Sequence, residues 1–209
     1  MSRPLTIIDY GAGNLRNVQK AFAAVGVEAL ISSDPASISR APALVLPGVG
    51  AFGDAIDNLR ERHLEQPLLQ GIAEGKPLLG ICVGLQLLFE ESEEMGLHRG
   101  LGLLPGRVVR FAEGLTVPHM GWNQIAPQRE HPLLDGLAPG DFAYFAHSYH
   151  AQPSDPSVIV AQTDYGRPFP SIVARKNVCA IQFHPEKSQQ FGLRLLKNFA
   201  KIAQEVELC

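Results

Sequence analysis

The sequence predicts an α/β fold: a mixed, mostly parallel central sheet flanked by helices, with a second, smaller antiparallel β region. Three observations point there. Short apolar runs alternate with amphipathic helical patterns up to about residue 82. A cysteine set among glycines follows directly on the apolar run Leu78-Leu79. After about residue 100 the texture changes to short β-rich segments broken by Gly and Pro turns. A chain of 209 residues is enough for one such domain with a sizeable core, and no linker, repeat or low-complexity tract divides it, so residues 1–209 read as a single domain.

The elements follow in order. Residues 5–8 form a short apolar run ending at Asp9, as a first buried parallel strand does. Asn14 is placed to cap a helix with Leu15, Val18, Phe22 and Val25 at helical spacing, and Gly26 stops it. Residues 27–31 and 43–46 are the next strands. A second helix begins at Asp54 with Ile56 and Leu59 on one side, and a third covers 67–74 before Gly75. Beyond the cysteine, residues 107–111, 116–119, 142–148, 158–162 and 171–175 read as antiparallel or mixed strands. Residues 178–183 form a last strand, and Ser188 caps a final helix carrying Leu195, Leu196, Phe199 and Ile202.

Composition narrows the function. Hydrophobic content of 45%, charged content of 19% and a net charge of −3 give no reason to expect a nucleic-acid or anionic-membrane partner. The odd, dispersed set Cys82, Cys179 and Cys209 fits neither a disulfide framework nor a zinc pattern. His119, His147 and His150 lie on separate strands at spacings unlike a metal-ligand motif. The first residues lack the apolar stretch of a secretion signal, and no run approaches the ~20 residues of a membrane span. A cytoplasmic protein without metal or cofactor is the expectation.

The chemistry starts at Gly80-Ile81-Cys82-Val83-Gly84-Leu85-Gln86. A strand running into a tight turn with a nucleophile at its apex, followed by a helix, is a nucleophile elbow, and the helix N-terminus favours thiolate over thiol. A thiolate nucleophile needs a base, and the base needs an orienter. His184-Pro185-Glu186, just after the last strand, offers both. The proline biases His184 toward extended geometry, in which Glu186 projects to the same side and can hold the ring's tautomer. An acyl-transfer site also needs oxyanion donors. The glycine-rich turn Pro47-Gly48-Val49-Gly50 supplies one candidate, the N–H of Gly50, to pair with the N–H of Val83.

These motifs together resemble the class I (triad) glutamine amidotransferases. Further segments, Ile8-Asp9-Tyr10-Gly11-Ala12-Gly13-Asn14-Leu15, Pro118-His119-Met120-Gly121-Trp122-Asn123, Tyr144-Phe145-Ala146-His147-Ser148-Tyr149 and residues 182–188 (QFHPEKS), are similar to the subfamily of glutaminase subunits of imidazole glycerol phosphate synthases. Pro-Gly-Val-Gly in place of the Pro-Gly-Gly of many other members points the same way. The resemblance runs from about residue 5 to 200. It implies that Cys82 attacks the glutamine carboxamide, with His184 as acid and base and Glu186 as its orienter. It implies that Gly48, Val49, Gly50, Val83, Gln86, Ser148 and Tyr149 form the oxyanion and substrate side. Asn14, Trp122, Tyr144 and Lys187 would face the partner, a (β/α)8-barrel cyclase joined in a heterodimer, which would receive the ammonia for histidine biosynthesis. The glycine content of residues 47–50 leads to the further expectation that this loop presents no oxyanion donor until the partner docks.

Two other readings stay open at the level of residues. One is a stand-alone Cys-His-Glu hydrolase of peptides or γ-glutamyl amides, active without a partner. The other is a catalytically silent sensor on the same fold, against which the intact Cys82, His184 and Glu186 argue.

Overall fold

The computed structural model describes residues 4–138 and 140–207; Cys209 lies outside them. The first half is built of strand and helix in turn: β1 (Leu5–Ile8), α1 (Leu15–Ala24), β2 (Ala29–Ser32), α2 (Pro35–Arg40), β3 (Leu44–Gly48), α3 (Phe52–Glu61), α4 (Glu65–Ala73), β4 (Leu78–Cys82) and the single turn α5 (Val83–Gln86). Then come the short strands β5 (Phe89–Ser92), β6 (His98–Arg99), β7 (Leu104–Arg110), β8 (His119–Gln124), β9 (Ala126–Pro127), β10 (Phe142–His147), β11 (Tyr149–Pro153), β12 (Ile159–Asp164), β13 (Pro168–Arg175) and β14 (Val178–Ile181), before the long α6 (Gln189–Glu207).

The main sheet has the order β2-β1-β3-β4-β14-β13-β12-β9. Pairs from β2 to β14 are parallel, and those from β14 to β9 are antiparallel. β1, β3, β4 and β14 are buried along their whole length, which explains their unbroken apolar runs. A four-stranded sheet (β11-β7-β5-β6) and a two-stranded antiparallel ribbon (β8, β10) form the expected smaller β region, antiparallel except for the parallel β5–β7 pair.

Several local expectations change. Asn14 sits at the start of α1, but its side chain makes no capping bond. Helix α2 was not foreseen: it buries only Ile38 and so shows little periodicity, although Asp34 accepts from the N–H groups of Ala36 and Ser37 and Pro35 opens it. The strand expected at 116–119 begins only at His119 and continues to Gln124, because Pro118 has no N–H to give a ladder. The last strand stops at Ile181 rather than 183. The Ser188 hydroxyl, expected as a helix cap, instead donates to the His184 carbonyl at 2.6 Å and accepts from the Tyr144 N–H at 2.9 Å.

Candidate active site

Three neighbouring strands deliver the candidate residues to one edge of the sheet. The parallel registers set Gly48 of β3 opposite Cys82 of β4, and Ile181 of β14 opposite Ile81. Gln182 therefore comes level with Cys82, and its Nε2–H donates to Cys82 Sγ at 3.8 Å. His184 follows just beyond. This is the carboxyl end of the strands, beside the point between β1 and β3 where the strand order reverses, the usual place for a ligand in an open α/β sheet.

Cys82 has φ 56° and ψ −110°. Non-glycine residues avoid this region, and holding one there costs on the order of 1–3 kcal/mol. The turn survives because its neighbours lack side chains. A Cβ on Gly84 would collide with the Leu46 carbonyl, and one on Gly48 would come within 2.6 Å of the Tyr10 hydroxyl. Tyr10 is fully buried and donates to the Pro47 carbonyl at 2.7 Å, fixing the end of β3. Burial first, and the charge of Cys82 second, raise its pKa far above the ordinary phenol value. The helix expected after the elbow is one turn long before the chain bends into β5. So short a helix has little macrodipole to set against the sulfur.

His184 Nδ1–H donates to Glu186 Oε1 at 3.0 Å, and both side chains are almost wholly buried. Burial alone would lower the imidazole pKa. Hydrogen bonds to Cys82 and Glu186, with the negative charge of both, outweigh it and hold the pKa up at about 10. The ring thus sits between sulfur and carboxylate, in a setting that favours its protonated form. Among the described residues, Glu186 Oε2 has no hydrogen-bond partner.

A cavity of about 220 Å³ opens on this arrangement. Cys82, His184, Val49, Gly50, Val83, Gln86, Ser148 and Tyr149 all line it. Gly48 does not; it packs behind, against Tyr10 and Val83. Glu186 also stands behind the wall. Lys187, expected on the partner side, reaches the cavity and lies 5.4 Å from the Tyr144 ring centroid. Tyr144 meets Trp122 edge-on at 6.0 Å. These two, with the exposed Met120 and Phe142, share the outer face of the β8–β10 ribbon. Asn14 is away from the cavity, next to Gly13, whose Cα carries no side chain against Pro47.

Sequence reasoning missed several residues. Glu94 lines the cavity while its Oε2 accepts the Phe52 N–H at 2.7 Å; nothing in its acidic surroundings (Glu90-Glu91-Ser92-Glu93) singles it out. His147 also lines the cavity. Its Nδ1 lies 2.8 Å from the Tyr149 carbonyl and its Nε2 lies 3.1 Å from His119 Nδ1. Gln86 Nε2 donates to the same Tyr149 carbonyl at 2.9 Å and to Gln182 Oε1 at 3.3 Å. With both amide hydrogens engaged, Gln86 offers a ligand its carbonyl oxygen. Among the described residues no cluster of His, Cys, Asp and Glu is placed to hold a metal ion, and no helix is long and apolar enough to cross a membrane.

Comparison with known proteins places this geometry. The family described as glutamine amidotransferase class-I matches residues 6–203. The chain is 56% identical over 202 residues to the imidazole glycerol phosphate synthase subunit HisH of Syntrophotalea carbinolica, covering 93% of this chain and 98% of that one. It is 54% identical to the HisH subunit of Aquifex aeolicus, covering 96% and 97%. In fold it is similar to a crystal structure of a glutamine amidotransferase (TM-score 0.76, 23% identity, 96% of this chain and 99% of that one). It is also similar to PurLQS of Thermotoga maritima (TM-score 0.78, 18% identity, 97% and 99%). On identity sustained over nearly its whole length, the chain belongs to the class-I glutamine amidotransferase family, in the branch of the imidazole glycerol phosphate synthase subunits HisH.

Proposed function

We propose that this chain is the glutaminase subunit of an imidazole glycerol phosphate synthase, releasing ammonia from glutamine for a partner subunit. The observation that carries the reading is one cavity in which the strained Cys82 meets the His184–Glu186 couple. The Cys82 sulfur attacks the carboxamide carbon of glutamine. The N–H groups of Gly50 and Val83, both on the cavity wall, receive the developing oxyanion. Losing one such donor typically costs ~10²–10³ in turnover. The His184 imidazolium gives its proton to the departing nitrogen, ammonia leaves and a glutamyl thioester remains. The neutral ring then takes a proton from water, whose oxygen attacks the thioester. Glutamate departs and the thiolate–imidazolium pair is restored.

Gln86 and the chain at Val49 and Ser148-Tyr149 hold the substrate, while Gly48 supports them from behind. The Glu94 carboxylate, on the same wall, suits the ammonium group of an amino acid. The partner is a (β/α)8-barrel cyclase, joined in a heterodimer in the cytoplasm. It uses the ammonia to make imidazole glycerol phosphate and an aminoimidazole carboxamide ribonucleotide in histidine biosynthesis. Docking on Trp122, Tyr144, Lys187 and Asn14 is supported by the exposed aromatic face of the ribbon. An enclosed route is needed because ammonia that reaches neutral water becomes ammonium, which is no nucleophile.

We further propose that the partner gates the loop at residues 47–50, so that the free chain lacks a complete oxyanion site. Glutamate release from glutamine tests both points, measured on the chain alone and with the cyclase. Strong stimulation by the cyclase is expected. Full turnover by the chain alone makes it a stand-alone hydrolase, and silence in both conditions overturns the reading.

A further inference from the structure

The buried histidines His119 and His147 form a direct cross-strand pair between β8 and β10. Their hydrogen bonds can be read in only one direction when both rings are neutral. The Tyr149 carbonyl only accepts, so His147 Nδ1 carries its hydrogen. His147 Nε2 is then an acceptor, and His119 Nδ1–H donates to it. His119 Nε2 in turn accepts from Asn123 Nδ2 at 3.2 Å, an amide that also donates to the Asp164 carbonyl at 2.8 Å. Every polar atom of both rings is satisfied. An added proton on His147 would turn the pair around and set His119 Nε2–H against the Asn123 amide, donor against donor. The rings are further fixed by packing: His119 stacks between Phe145 (4.9 Å) and Tyr165 (4.0 Å). Burial acts in the same sense, pushing the His119 pKa down to about 4 and that of His147 to about 3.

The far end of this chain is the cavity. The Tyr149 carbonyl is a shared acceptor for His147 and for Gln86. Gln86 continues to Gln182, and Gln182 to the Cys82 sulfur. We propose that His147, held in one tautomer by His119, is a positioning residue for the substrate cavity. It pins the Tyr149 carbonyl so that Gln86 presents its own carbonyl oxygen to the ligand. This rests on the glutaminase reading above. It adds that the inner face of the ribbon orients substrate, while the outer face of the same strands carries Trp122 and Tyr144.

Two measurements test it. The first is nitrogen–proton correlation spectroscopy of the imidazoles in the full chain. Both rings are expected as neutral Nδ1–H tautomers from pH 5.5 to 8, whereas an exposed histidine prefers Nε2–H. A His147 that is Nε2–H, or that titrates near its ordinary pKa, overturns the proposal. The second is glutamine kinetics of the complex with the cyclase. H147F removes the donor and is expected to raise KM about tenfold or more, with a smaller change in kcat. H147N keeps a donor at the Nδ1 position and is expected to recover most of that loss. Variants with the wild-type KM, or an equal loss in both confined to kcat, overturn the proposal. A wild-type complex that releases no glutamate overturns the glutaminase reading instead, a result distinct from active enzyme with indifferent variants.

Discussion

The backbone N–H of His184 donates to the carbonyl of Tyr144 at 2.9 Å, so the candidate base is tied to the ribbon that carries the proposed partner face. A second tie runs through Ser188, which accepts from the Tyr144 N–H and donates to the His184 carbonyl. Both backbone polar groups of Tyr144 are thus engaged with the segment that bears His184, Glu186 and Lys187. A shift of β10 therefore bears directly on the segment that carries His184 and Glu186.

Ser188→Ala removes the second tie and leaves a Tyr144 N–H without its acceptor. A loss of about 1–3 kcal/mol in stability is expected from the unpaired group. Turnover in the cyclase complex should fall with little change in KM, since His184 loses its setting while the glutamine contacts remain. Denaturant melts and steady-state kinetics on the same preparation check both parts.

Glu186→Gln keeps the shape of the side chain proposed to orient His184 and removes its charge. A fall of about 10²–10⁴ in kcat is expected, the range for a misoriented general base. The carboxylate is one of the groups raising the His184 pKa, so that pKa should drop. The pH profile of Cys82 alkylation by iodoacetamide reports this as a displaced titration. Cys179 gives little background in that assay, because burial pushes its thiol up to about 12.

Gly84→Ala asks the elbow to admit a methyl group where the Leu46 carbonyl already lies. Backbone on both sides must move, and a destabilisation of about 1–3 kcal/mol or more follows. Cys82 should lose alkylation reactivity along with glutaminase activity. A Gly84→Ala protein with wild-type melting temperature and activity would contradict the packing described for the turn.

Acid should weaken the fold through His147. Its pKa falls from an ordinary value of 6.5 to about 3 on folding, with burial as the main cause. The unfolded chain therefore binds more protons below pH 6.5. The contribution is fully present above that pH and is lost as pH drops toward 3. At pH 4.5 the loss from this one group amounts to about 2–3 kcal/mol. Urea melts at pH 7.5 and pH 4.5 should show it, and His147→Gln should flatten the decline.

Much of this site could be read from residues because it lies where local rules are strict. Gly80, Cys82 and Gly84 mark a turn that few sequences form, and His184-Pro185-Glu186 places a candidate base and a carboxylate that bonds to it two residues apart. Those signals are contiguous. Glu94 and the His119–His147 pair escaped because what makes them notable is across-strand register and distance, which no window of sequence contains. Helix α2 escaped for the opposite reason, since its Asp34-Pro35 start was legible but its single buried residue left no period to follow. The strand misplaced at 116–119 shows that β-rich composition locates a strand less well than the proline that forbids its ladder.

The position of β14 in the sheet also governs when the enzyme becomes dangerous to its own substrate pool. A hundred residues separate Cys82 from Gln182 along the chain, yet β14 occupies an interior slot between β4 and β13. During synthesis, at ~5–20 residues per second, the cysteine emerges long before His184 and Glu186 exist. Parallel pairing across such a span closes late. A nascent or prematurely terminated chain therefore carries Cys82 without His184 or Glu186 beside it, and on the proposed mechanism hydrolysis does not start from an unfinished molecule.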